Sequence, residues 1–168
     1  MKYLSLFLVV AAGMALSCQT YNPNPQTEKT QLQIREFQTR TFDVDNELMV
    51  MKAVASVLLD EGFIIKDAET DLGIISATKE LDIESGSEKF FSILFFGANA
   101  RWAKNSVIES TVNVSGFGKQ VKVRVIFQVK SMNNMGEVML VQQVDDEQYY
   151  QDFFSKVDKG IFIQKEGI

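Results

Sequence analysis

Two periods can be read along the chain. From Val121 to Lys130, apolar Val121, Val123, Val125, Phe127 and Val129 alternate with Lys122, Arg124, Gln128 and Lys130, broken only by Ile126. A period of two with one apolar and one polar side predicts a strand in an antiparallel sheet that packs on one face only. Val107–Val114 alternates in the same way, and Ser115–Lys119 joins the two strands as a turn. Ser131–Gly136 turns the chain again into a strand over Glu137–Val144. Phe63–Ile65 and Ile74–Leu81 form a further hairpin around Thr70-Asp71-Leu72-Gly73. Leu32–Phe42 is read as the first strand, with Leu32, Ile34 and, after a slip, Phe37 on its apolar side.

Helical spacing appears twice. Asp43, Asp45 and Asn46 offer capping oxygens ahead of Leu48, Met51, Ala55, Leu58 and Leu59, with Val50, Val54 and Val57 widening the stripe and Gly62 ending it. Asp145, Asp146 and Glu147 start the second helix, where the helix dipole favours an anion. Its stripe is Tyr150, Phe153, Phe154, Val157, Ile161 and Phe162. The order β-α-β-β-insert-β-β-β-α predicts an α+β fold, a mainly antiparallel sheet with two helices packed on one face, because hairpins outnumber crossovers.

The N-terminus carries a different pattern. Lys2 precedes an apolar run, Tyr3–Leu16, broken only by Ser5 and Gly13. That run falls short of the roughly 20 residues needed to cross a bilayer core, and matches a secretory leader over residues 1–17. It ends Met14-Ala15-Leu16-Ser17-Cys18, which resembles the lipobox of bacterial lipoproteins; the resemblance implies that Cys18 is lipidated and becomes the mature N-terminus. Ala15 stands where leucine is commonest, an order that looser boxes admit. Residues 18–31 hold both prolines, Pro23 and Pro25, and read as an extended tether. Residues 32–168 are then one α+β domain with an apolar insertion at about 85–104. Gln19 after the cysteine resembles the outer-membrane sorting pattern, which implies the cell outer membrane, with the domain facing the periplasm.

Further stretches carry a family resemblance. Gln38–Asp43 (QTRTFD), Met51–Phe63 (MKAVASVLLDEGF), Asp71–Lys79 (DLGIISATK) and Tyr150–Ile163 (YQDFFSKVDKGIFI) resemble a family of uncharacterised bacterial lipoproteins across about residues 32–165. Glu61-Gly62-Phe63 departs slightly from the family's Leu-Gly-Phe. The family brings no activity, so no catalytic residue is carried over. The architecture also resembles the accessory lipoproteins of outer-membrane barrel assembly, a likeness of fold alone.

Composition narrows the chemistry. The 168 residues contain no histidine and one cysteine, which excludes Ser-His-Asp and Cys-His nucleophiles, imidazole zinc sites and internal disulfides. Lys+Arg 17 against Asp+Glu 22 argues against a nucleic-acid partner. Lys2 is the leader's only charge, so the mature chain is more acidic still. An anionic lipid surface would mildly repel it, and the lipid itself must anchor it.

The remaining constellations have ordinary readings. Asp145–Glu147 lacks the ligand spacing of a calcium loop, and Ser115-Gly116-Phe117-Gly118-Lys119 lacks that of a phosphate loop. Lys119, Lys122, Arg124 and Lys130 form a basic stripe, read as a solvated strand face with an anionic partner as its functional alternative. Arg40 is expected to pair with a carboxylate, Asp43 being in reach. Asp60, Glu61 and Asp67 are the carboxylates a hydrolase would use, without a paired arrangement. The strongest candidate contact is Phe90–Ala103, where Phe90, Phe91, Ile93, Leu94, Phe95, Phe96 and Trp102 leave only Ser92, Asn99 and Arg101 polar. It is read as core cover, or as a membrane or partner contact. The expectation is a lipid-anchored envelope binding or structural module, without catalysis or cofactor, in contact with the membrane through its lipid and with an envelope protein. The alternatives are a carrier of a small apolar ligand and, behind it, a carboxylate-dependent hydrolase.

Overall fold

The computed structural model describes residues 29–81, 106–132, 135 and 137–166. Within them run α1 (Gln31–Phe37), β1 (Thr39–Phe42), α2 (Glu47–Asp60), β2 (Ile64–Glu69), β3 (Ile74–Leu81), β4 (Ser106–Phe117), β5 (Gln120–Met132), β6 (Val138–Gln143) and α3 (Glu147–Glu166). The fold is α+β, with one six-stranded antiparallel sheet in the order β1-β5-β4-β3-β2 and β6 also paired to β5.

One expected element differs. Leu32–Phe37 is helical, and only Thr39–Phe42 is strand, so the described residues hold three helices. A capping box explains the change. Thr30 Oγ1 accepts from the Gln33 backbone N–H at 3.3 Å, and Gln33 Oε1 accepts from the Thr30 N–H at 2.8 Å. Ile34 and Phe37, three apart, then turn one side of α1 inward, whereas Leu32 is exposed. Thr30 is therefore the N-cap of α1.

The sequence of α2 sets its ends. Asn46 Oδ1 caps the Met49 N–H at 2.9 Å. At the far end Gly62 has φ +85°, and the Phe63 and Gly62 amides donate to Leu58 and Leu59 carbonyls, a Schellman closure that drives Phe63 into the core beside Leu58. The buried stripe is Val50, Met51, Ala53, Val54, Val57 and Leu58. Leu48 and Leu59, expected in that stripe, are exposed because they lie at its flanks. In α3 the buried residues are Tyr150, Phe153, Phe154, Val157 and Ile161. Phe162, also expected inside, points to solvent. The two helices pack antiparallel, with Gly160 close to Ala53, and their stripes merge with Val121, Val123, Val125, Phe127 and Val129 of β5 in one core.

Two strands share one edge of β5. β1 pairs with its first half, Val121–Arg124, and β6 with its second, Gln128–Met132. Tyr150 seals the junction: its hydroxyl accepts from the Phe127 N–H at 3.3 Å and donates to the Val144 carbonyl at 3.1 Å. The hydroxyl thus occupies a ladder position where the sheet divides. At the end shared by the β2–β3 and β4–β5 turns, Gly73 (φ +64°) lets β3 approach β4; a Cβ there would lie 2.0 Å from the Val114 carbonyl oxygen.

Candidate functional site

All helices with a core stripe lie on one side of the sheet. Nothing described covers the other side, which the alternation of each strand builds. β5 contributes Lys122, Arg124, Ile126, Gln128 and Lys130; β4 contributes Val107, Glu109, Thr111, Asn113 and Ser115; Ile74, Ser76 and Thr78 of β3 continue the surface. None of these side chains is buried, whereas their neighbours in sequence on β5 are almost fully so. This open face is the candidate contact surface.

Its two halves carry charge differently. Lys130 Nζ lies 2.6 Å from Glu109 Oε2, a neutralised pair. In the other half, Lys122 stands in register with Thr41 on β1 and Ser115 on β4, and Arg124 with Thr39 and Asn113. Neither cation has a carboxylate across the strand. Beyond them lies the β4–β5 tip, where Phe117 is 76% exposed, Gly118 takes φ +66° and Lys119 is exposed. Lys122, Arg124 and Lys130 of the basic stripe read from the sequence share this face, and among the described residues only Lys130 has a carboxylate partner there, whereas Lys119 lies at the tip beside Asp43 and Asp45.

A second polar cluster sits where α2 ends. Lys79, on the core side of β3, donates to the Glu61 backbone carbonyl at 2.9 Å, placing a cation at the negative end of the helix dipole. The Glu61 carboxylate pairs with Lys156 of α3. Tyr149 is close by; burial, with the Glu61 carboxylate and Tyr150 adding to it, pushes its phenol above the ordinary range. Tyr150 is also pushed up, mainly by burial, against hydrogen bonds from the Phe127 amide and Gln38 that act the other way. Gln38 is fully buried and donates to the Tyr150 hydroxyl at 3.2 Å. These contacts lock helices to sheet.

The other sequence-derived candidates fall as follows. Glu61 is in the ion pair just described. Asp60 is exposed at the end of α2, and Asp67, on β2, accepts from the Ala68 amide at 3.0 Å, so the three carboxylates do not converge. Asp146 caps α3 through the Tyr149 N–H at 2.7 Å. Among the described residues no group of three or more acidic or thiol side chains is placed to hold a metal ion. Arg40 pairs with Asp158 of α3 at 3.2 Å, not with Asp43, whose Oδ1 accepts from Gln120 Nε2 at 2.6 Å. Arg40 lies on the core side of β1 and therefore reaches the helix layer. Cys18, and Phe90, Phe91, Ile93, Leu94, Phe95, Phe96 and Trp102, lie outside the described residues. No described helix is long and apolar enough to cross a membrane.

Sequence reasoning missed the Gln38–Tyr150 junction and the Arg40–Asp158 pair, which join residues more than a hundred positions apart. No protein-family model matches the chain, and no curated protein matches it in sequence.

Proposed function

We propose that the protein is a lipid-anchored binding or structural module of the bacterial cell envelope, held at the outer membrane through Cys18 and acting by contact. One observation of the fold carries the contact part of this reading. Among the described residues the helix layer covers a single side of the sheet and leaves the other as a broad, mostly polar surface that also holds Ile74, Val107, Glu109, Ile126 and Gln128. An antiparallel sheet needs only one packed face for its stability, so the second is free to meet a partner. The anchor part rests on the leader over residues 1–17 and the lipobox-like Ala15-Leu16-Ser17-Cys18. Cys18 stands 13 positions before Gln31, the first residue of α1. Lipoprotein processing attaches several acyl chains, and each buried methylene adds about 0.8 kcal/mol, enough together for stable anchoring where one chain is not.

The test is metabolic labelling with palmitate in a bacterial host, followed by separation of membranes. The native chain is expected to take up label and sediment with the outer membrane. Cys18→Ser is expected to lose both properties. Tight membrane retention of an unlabelled Cys18→Ser chain overturns the anchor.

A further inference from the structure

We infer that β6 is the docking strand for the chain's own apolar segment between Leu81 and Ser106, which covers its outer edge and Val138, Leu140 and Val141. The inference goes beyond the proposed function and does not depend on the lipid anchor.

Three strands border the sheet, and two of them are guarded. β2 carries Lys66, Asp67 and Glu69, and β1 is only four residues long, with Arg40 among them. Charge and shortness both keep an edge from recruiting another strand. β6 has no such charge: Val138–Gln143 holds neither an ionisable residue nor a proline. Its inner edge pairs with β5, and among the described residues no strand meets its outer edge. Its side chains are apolar toward both faces. Val141 stands in register with Lys130 and Val138 with Met132 on the open face, whereas Leu140 stands in register with Ser131 on the other. Val138, Leu140 and Val141 are 54%, 47% and 51% exposed. An unguarded apolar edge of this kind pairs with other chains unless something covers it.

The course of the chain names the cover. Leu81, Ser106, Ser131 and Leu140 form one row across β3, β4, β5 and β6. The chain therefore leaves the sheet and returns to it in the row that ends on β6. At a strand spacing of about 4.8 Å, β6 lies about 14 Å from Leu81 and about 10 Å from Ser106. The stretch from Leu81 to Phe90 can extend about 30 Å, and that from Ser106 back to Trp102 about 13 Å. Both ends of Phe90–Trp102 thus reach β6. From Phe90 to Ala100 the sequence holds no charged residue, and Phe90, Phe91, Ile93, Leu94, Phe95 and Phe96 suit a surface of valine and leucine. A segment held at both ends within reach has an effective concentration on the order of millimolar, which a second copy or a free peptide does not match in dilute solution.

The experiment uses the mature chain, residues 18–168, carrying Cys18→Ser so that neither lipid nor detergent is present. Trp102, the single tryptophan, is the reporter. Its emission is expected to lie to the blue of that in the urea-unfolded chain and to resist acrylamide quenching, at every chain concentration and without vesicles. Val138→Asp with Val141→Asp should shift the emission to the red and open Trp102 to acrylamide. Leu72→Asp, in the turn at the opposite end of the sheet, should change neither. Far-UV circular dichroism reports whether each variant is folded, and a second measurement stands where the double variant is not. Val141→Cys, the single thiol in this chain, should react with a maleimide more slowly than in a chain whose residues 82–105 are replaced by Asn-Gly, a turn that the paired Leu81 and Ser106 can close. The inference is overturned by a Trp102 as exposed in the native chain as in urea, by an emission unmoved in the folded double variant, or by equal maleimide rates. Protection of Trp102 that rises with chain concentration would mark a second copy, and protection that needs added phosphatidylglycerol vesicles would mark a membrane contact; either overturns it. None of these outcomes touches the anchor, which palmitate labelling tests by itself.

Discussion

β5 presents two surfaces that differ at every consecutive residue. On one, Val121, Val123, Val125, Phe127 and Val129 are at most 1% exposed, clamped between the sheet and two helices. On the other, Lys122, Arg124, Ile126, Gln128 and Lys130 are half-buried or exposed and meet no second layer among the described residues. The backbone ladder is common to both. What separates them is side-chain packing, and stability should therefore concentrate on one side while the other keeps chemical freedom. A surface that contributes little to folding can change its charge and shape with its partner.

The comparison breaks most directly at Phe127. Its ring meets Phe63, Tyr149, Tyr150 and Phe153, with centroids 4.9–5.8 Å apart. Phe127→Ala removes the centre of that aromatic group and leaves a cavity, so it should cost about 4 kcal/mol in urea unfolding. Most single domains have about 5–15 kcal/mol in total, which makes this a large fraction. Ile126→Ala, one residue away on the open side, should cost about 1 kcal/mol. Equal losses at the two positions would show that the open side is packed as the covered one is.

Tyr150 tests the same covered side through polarity. Its hydroxyl sits between the Phe127 amide and the Val144 carbonyl, where β6 parts from β5. Tyr150→Phe leaves those groups, and the Gln38 amide, without that partner and should cost about 2 kcal/mol. The pair Tyr149 and Tyr150 also ties stability to pH at the alkaline end. Both phenols are held above their ordinary value of 10.0, mainly by burial. The fold therefore favours the neutral phenol: the stability this gives is complete below about pH 10 and is lost as pH rises from there toward the raised folded values. Urea unfolding from about pH 8 to about pH 11 should show that decline, and Tyr149→Phe should reduce its slope. A slope unchanged in Tyr149→Phe and in Tyr150→Phe would assign the alkaline loss to other groups.

Much of this division was legible in the residues. The alternation of Val121–Lys130 and the stripe from Tyr150 to Ile161 give both layers their inward faces, because periods of two and 3.6 are local properties. The start of the fold was misread for an equally local reason. Leu32 and Ile34 fit a strand alternation, and the competing signal, Thr30 followed three residues later by Gln33, is the capping box that makes α1 a helix. Phe162 fitted its stripe by spacing, yet it is exposed while its neighbour Ile161 is buried. Arg40 found Asp158 instead of Asp43 because β1 aims it at a helix 118 residues away, a proximity no local pattern contains. The basic stripe was visible as four cations; that Lys130 has Glu109 diagonal to it while the cross-strand neighbours of Lys122 and Arg124 are hydroxyl and amide groups depends on register.

That difference yields the smallest effect. Lys130 and Glu109 are each about one-third exposed, at 31% and 37%. A partly exposed cross-strand pair gains little over its hydration and side-chain entropy, so a double-mutant cycle of Lys130→Met and Glu109→Gln should give a coupling of about 0.5 kcal/mol. The coupling should fall in about 1 M salt, where the Debye length is about 3 Å. Substituting Lys122→Met should be nearly neutral for stability, since no carboxylate opposes it. If Lys122 proves as strongly coupled to a carboxylate as Lys130 is to Glu109, the two halves of the open face are electrostatically alike and the comparison along β5 fails.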